Sequence, residues 1–229
     1  MRIIIITQNE PFYLAQNLNY LFNILPKHSS VIGCVVADVS PFGKKESFVS
    51  KVIKTYNIFG LKFLIYYSIK YLKSKLTSKN NIYTLLKSKK IPIISLNESI
   101  NSPNSVKKIK SFNPDLLVSI LGNQIFKNPL IGLAPKGCIN LHSALLPKYR
   151  GLMPTFWVMK NNEKKTGVSV FYVDEGIDSG PIIVQKEVEI ENRTQQELIV
   201  LTKKIGMDAV SESIDPIKKK KVKDIKNDS

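Results

Sequence analysis

Arg2–Ile6 (RIIII), residues 12–25 (FYLAQNLNYLFNIL) and residues 30–36 (SVIGCVV) open the chain. The first and third are β-branched runs, and between them apolar residues recur at helical spacing, so the three read as strand, helix and strand. That order opens a parallel α/β sheet, because parallel neighbours need a crossover and a helix supplies it. Pro11 suits the first turn of the helix, where a missing N–H costs nothing. Short apolar runs follow at residues 91–95, 116–121, 138–141, 167–173 and 182–190, with helices expected over 106–112 and 195–207. The expected fold is α/β: a Rossmann-like, mostly parallel sheet with helices on both faces. The 229 residues suffice for one domain and an appendage. The domain is expected over residues 1–190, with a C-terminal helix over 195–207 and a solvated basic tail from Pro216 within residues 191–229.

The chain carries 34 Lys and Arg against 18 Asp and Glu, a net charge of +16. A polyanionic partner would fit that total, but only Arg2, Arg150 and Arg193 are arginines. Arginine makes the bidentate contacts that read phosphates and guanines, so a dedicated nucleic-acid function is not favoured. Cys34 and Cys138 each sit in an apolar run and read as reduced structural thiols. Ile3–Ile6 is too short for a secretory signal, and the later apolar stretch at 59–72 is interrupted by Lys62 and Lys70. A soluble, cytoplasmic protein is expected, with no transmembrane segment. A basic aromatic insertion at about 44–90 fits two or three helices. Because its aromatics make no single clean face, it reads as packed on the sheet with its lysines reaching into water, in preference to a membrane or nucleic-acid helix.

The turn after the first strand, TQNEPF, has no glycine, so the close backbone approach that a dinucleotide pyrophosphate needs is not provided. With only His28 and His142 and no Cys-x-x-Cys pair, no metal site is expected. The informative stretch is residues 138–150, CINLHSALLPKYR, followed by GLMPTFWVM. Residues two apart on a strand share a side, so Asn140 and His142 project together where the strand ends. Ligands of open α/β sheets bind at the carboxyl ends of the strands, which is where this pair falls. Downstream, VDEGIDSGPI places Asp178 in a glycine-flanked loop able to fold back over the same edge.

NLHSALLPKYRG together with VDEGIDSGPII resembles the folate-dependent formyltransferase superfamily, over residues 1 to about 190. The superfamily includes glycinamide ribonucleotide, methionyl-tRNA and nucleotide-linked amino-sugar N-formyltransferases. The resemblance implies a one-carbon group transferase that uses 10-formyltetrahydrofolate as donor and a primary amine as acceptor. It implies that Asn140 stabilises the oxyanion, that His142 shuttles the proton, and that Asp178 orients the imidazole. By the same resemblance, Leu121, Gly122, Asn123, Gln124, Ile125, Asp174 and Gly176 meet the folate, and Arg150 and Gly151 meet the acceptor.

Two alternatives stand beside it: a hydrolase that releases formate from the folate, and a catalytically idle basic protein that binds RNA or membranes. The hydrolases carry an N-terminal regulatory domain, for which a first strand beginning at Arg2 leaves no space. Only 38 residues follow Glu191, too few for the barrel with which methionyl-tRNA formyltransferases continue. The expected acceptor is therefore a small molecule such as a nucleotide-linked amino sugar, with glycinamide ribonucleotide and tRNA as alternatives and specific nucleic-acid binding disfavoured.

Overall fold

The computed structural model describes residues 1–37, 47–76, 81–122, 124–222 and 225–228, and the side chains of 75 and 76 are left aside. Parts of the 44–90 insertion and of the tail, and Asn123, lie outside these residues. Among them six strands form one sheet in the order β2-β1-β3-β4-β5-β6. They are β1 (Arg2–Gln8), β2 (Ser30–Ala37), β3 (Leu116–Ile120), β4 (Cys138–His142), β5 (Lys165–Tyr172) and β6 (Ile182–Glu189). The first four strands are parallel, and β5 runs antiparallel to both β4 and the edge strand β6.

Alternation along β1 explains the layering. Ile3 and Ile5 enter one cluster with Leu14, Leu18 and Leu21 of α1 (Leu14–Ile24), whereas Ile4 and Ile6 enter the other with Ile109 and Leu130. Ile109 lies on α4 (Pro103–Lys110) and Leu130 on α5 (Asn128–Ile131), so helices cover both faces, as expected. The N–H groups of Phe12, Tyr13 and Leu14 donate to the carboxylate of Glu10, which fills the anion position at the start of α1 with the chain's own charge.

Three expectations are corrected, and a fourth in part. Residues 91–95 are not a strand: Ile93 forms only an isolated bridge with Cys34, and Pro92 has no N–H to extend a ladder. The last helix, α7 (Gln195–Lys219), runs well past Met207 and through Pro216. Ile214 and Ile217 are buried on its core face, and this holds the final turns in place. The chain beyond is not a simple solvated tail, since Ile225 bridges Ile182 and Asn227 is buried. The insertion packs on the core through Ile82 and Leu86 of its second helix, as expected, and differs in its first. It forms α2 (Phe48–Leu76), interrupted at Gly60, and α3 (Ile82–Ser88), and none of the described α2 side chains is buried. Trp157 lies on α6 (Pro154–Lys160) and is partly exposed.

Candidate active site

The carboxyl ends of β3 and β4 are neighbours in the sheet, Ser119 opposite Asn140 and Ile120 opposite Leu141. His142 closes β4 and is 6% exposed, while Asn140, two residues earlier on the same side, is half-buried. Behind this pair α7 approaches β4 closely at Gly206, where a Cβ would lie 2.7 Å from Leu141 Cδ2. The absence of a side chain on Gly206 therefore sets how near the helix comes to the strand that carries Asn140 and His142.

The loop between β5 and β6 folds back over that edge and brings Asp178 to His142. Asp178 Oδ2 stands 3.4 Å from His142 Nδ1 and accepts a hydrogen bond from the Gly151 N–H at 2.8 Å. The other ring nitrogen, Nε2, donates to the Tyr149 carbonyl at 2.7 Å. The Tyr149 carbonyl can only accept, so it fixes a hydrogen on Nε2 and leaves Nδ1 turned to the Asp178 carboxylate.

Asp178 has φ +49°, a left-handed conformation tolerated by aspartate and held here from two sides. Gly151 binds its carboxylate. Asn227 donates its side-chain amide to the carbonyls of Asp178, at 2.9 Å, and Gly180, at 2.8 Å. Arg150 is turned to the same residue: Nη2 donates to the carbonyl and the side-chain oxygen of Asn227, and the buried Nε has no partner. Asn227 is the residue that sequence reasoning missed. It lies in a lysine-rich segment with no motif, and only the folded chain brings it to the loop. The Tyr149 carbonyl was equally invisible, because a backbone acceptor leaves no mark on residue type.

The residues expected to meet a folate fall into two groups. Leu121, with φ +56°, and Gly122 follow β3 directly, and a Cβ on Gly122 would lie 2.5 Å from Ser119 Oγ. Gln124 is half-buried and Ile125 exposed, and Asn123 lies outside the described residues. Leu121 also lines a small hollow with Leu14, Leu141, Ser143, Lys203 and Met207. Burial there holds the Lys203 ammonium below the ordinary lysine value, against the opposing pull of Glu10. Asp174 and Gly176 belong to the Asp178 loop, where Asp174 Oδ1 accepts from the Gly176 N–H and the Ser179 hydroxyl. Leu152, Met153 and Ile177, next in sequence to Gly151 and Asp178, are exposed. Among the described residues no group of three or more His, Cys, Asp or Glu could hold a metal ion.

The fold and this edge define an α/β protein with an Asn-x-His strand end closed by an aspartate loop. Residues 68–213 match the formyl transferase family model, and the chain belongs to that family. It is similar to the methionyl-tRNA formyltransferase of Thermodesulfovibrio yellowstonii, 39% identical over 125 residues, which cover 53% of this chain and 40% of the relative. The match thus spans well under half of that relative's length. Among solved structures, the phosphoribosylglycinamide formyltransferase of Anaplasma phagocytophilum superposes with a TM-score of 0.71 at 16% identity, covering 97% of this chain and 89% of that one. An N-formyltransferase from Helicobacter canadensis, in complex with folinic acid and dTDP-3-aminofucose, superposes with a TM-score of 0.61 at 19% identity, covering 99% and 67%. These two likenesses concern the fold.

Proposed function

We propose that the protein transfers a formyl group from 10-formyltetrahydrofolate to a primary amine. The observation that carries this reading is the buried His142 ring, set between the Asp178 carboxylate and the Tyr149 carbonyl at the carboxyl end of β4, in a chain of the formyl transferase family. The amine nitrogen attacks the formyl carbon, the bond from that carbon to the folate nitrogen breaks, and the proton lost by the amine ends on the folate nitrogen. Asn140 donates from its amide to the developing oxyanion. His142 carries the proton between the two nitrogens, with Asp178 orienting the ring and balancing its charge. Leu121, Gly122, Gln124, Ile125, Asp174 and Gly176 form the folate side. Gly151, whose N–H holds Asp178, lies on the acceptor side.

For the acceptor, a small amine such as a nucleotide-linked amino sugar comes first, in line with the dTDP-3-aminofucose held by an N-formyltransferase of similar fold, and glycinamide ribonucleotide stands beside it, in line with the TM-score of 0.71 to a phosphoribosylglycinamide formyltransferase. The second reading is initiator methionyl-tRNA, favoured by the 39% identity to an enzyme of that name. Purified protein incubated with 10-formyltetrahydrofolate and a panel of amino-sugar nucleotides, glycinamide ribonucleotide and methionyl-tRNA should yield a formylated amine detectable by mass spectrometry. Turnover of the sugar alone supports the first reading, and turnover of the tRNA replaces it with the second. Formate release with no formylated amine would overturn formyl transfer in favour of hydrolysis.

A further inference from the structure

The largest feature the proposed chemistry leaves unused is α2. From residue 47 to residue 97 the sequence has ten lysines and no aspartate, glutamate or arginine. Gly60, at φ +78°, divides α2 into two halves. In the first, Phe48, Val49, Val52, Ile53, Tyr56 and Phe59 recur at spacings of three and four and so share one side, with Lys51 and Lys54 on the other. That apolar side is exposed, Phe48 75% and Val49 64%, and Ile58, among the lysines of the other side, is 69% exposed as well.

The second half is moored through the opposite side. Tyr66 donates to Gln196 at 3.0 Å, Tyr67 packs edge-on against Phe12, and the Lys70 ammonium donates to the Tyr13 hydroxyl at 2.8 Å. With that side held, Leu61, Ile65, Ile69 and Leu72 form an outward stripe, Leu61 58% and Leu72 61% exposed. A helix that exposes this much aliphatic and aromatic surface in water lacks a partner.

We propose that α2 docks the protein on an anionic lipid surface, lying in the interface with its apolar sides inserted and its lysines at the level of the headgroups. An interfacial helix combines an apolar face, basic flanks and aromatic residues at the boundary, and α2 has all three. Its charge complements anionic lipid, and residues 47–97 themselves carry no acidic side chain to oppose it. A second copy of the chain fits less well, since two such faces would bring like charges together. RNA fits less well too, because aliphatic side chains gain nothing from phosphates and no arginine is present to fork onto them. No helix among the described residues is long and apolar enough to cross a membrane, so the contact is one of lying on the surface. The mooring residues Phe12 and Tyr13 follow the carboxyl end of β1, on the sheet edge that carries the candidate active site.

Flotation with phosphatidylcholine vesicles, with and without about 30% phosphatidylglycerol, tests the proposal at low and moderate salt. The full chain should bind the anionic vesicles at least ~10-fold better than the neutral ones, with binding weakened by salt. The double variant Ile53→Glu/Ile65→Glu, both changes at exposed positions, should keep the wild-type melting temperature and lose about 10-fold or more of the binding. Lys54→Glu/Lys62→Glu should lose mainly the preference for anionic lipid. Failure of the wild type to float with anionic vesicles would overturn the proposal, as would equal binding by the Ile53/Ile65 variant. So would a lipid-free dimer, or retention of an RNA oligonucleotide at moderate salt without vesicle binding, if either is abolished by that variant.

Discussion

Single side chains carry two kinds of chemistry here. His142 and Asp178 are poised by backbone groups, Tyr149 carbonyl and Gly151 N–H, so their geometry does not depend on a bound ligand. Cys34 and Cys138 are the opposite case: burial pushes each thiol up to about 12, and both are almost wholly enclosed by the sheet and its helices. Neither thiol should react with Ellman's reagent in the native protein, and both should react after denaturation. Rapid native labelling would show that the strands open locally. The sequence displayed the thiols as inert and the Asn140–His142 pair as convergent, because both readings need only strand alternation and apolar neighbours. It could not display how His142 is held, since carbonyls and N–H groups are common to all residues.

At the scale of elements, the β5–β6 turn brings Asp178 to the histidine, and Gly180 makes that turn possible. A Cβ on Gly180 would stand 1.8 Å from the Tyr172 carbonyl oxygen, and backbone cannot easily give way. Gly180→Ala should cost about 1–3 kcal/mol, as overpacking does, and lower activity by displacing Asp178. A thermal melt together with a turnover measurement checks both parts. The start of α7 offers a second test. Thr194 accepts from the Glu197 N–H, and the Glu197 carboxylate accepts from the Thr194 N–H, so each closes the other's end of a capping box. Thr194→Ala should lower stability by about 1 kcal/mol. The hydrogen bonds from Thr194 hold the Glu197 carboxyl below its ordinary value of 4.5. Its contribution is therefore complete above that pH and is lost as the pH falls through the lowered folded value. The gap in melting temperature between wild type and Glu197→Gln should narrow on acidification below 4.5, and a widening gap would contradict the assignment. Most elements were legible from period and β-branching. The exceptions have physical causes: Pro92 breaks an apolar run that reads as a strand, and buried Ile214 and Ile217 carry the last helix past Met207, where it reads as ending, and through Pro216.

Across the whole molecule, the carboxyl edge of the sheet is assembled from segments far apart in sequence. Asn227 links the tail to Arg150 and to the carbonyls flanking Ser179, and so ties the C-terminal segment to the Asp178 loop. Asn227→Ala removes two donated hydrogen bonds and one of the two acceptors that Arg150 uses, leaving the backbone carbonyl. Each such loss at a buried site costs about 1–3 kcal/mol, and the variant should show a lower melting temperature and reduced turnover together. No pattern in the sequence announces this contact, because a tail segment acquires its partner only when the sheet is complete. The family motifs, by contrast, were legible because strand end and loop each keep their own residues in order. The central claim is that His142 moves the proton during formyl transfer. The direct measurement is turnover of 10-formyltetrahydrofolate and amine by His142→Ala, alongside the affinity of the same variant for folate. Turnover should fall by about 10²–10⁴-fold while folate binding changes little. Full turnover in His142→Ala would contradict the account.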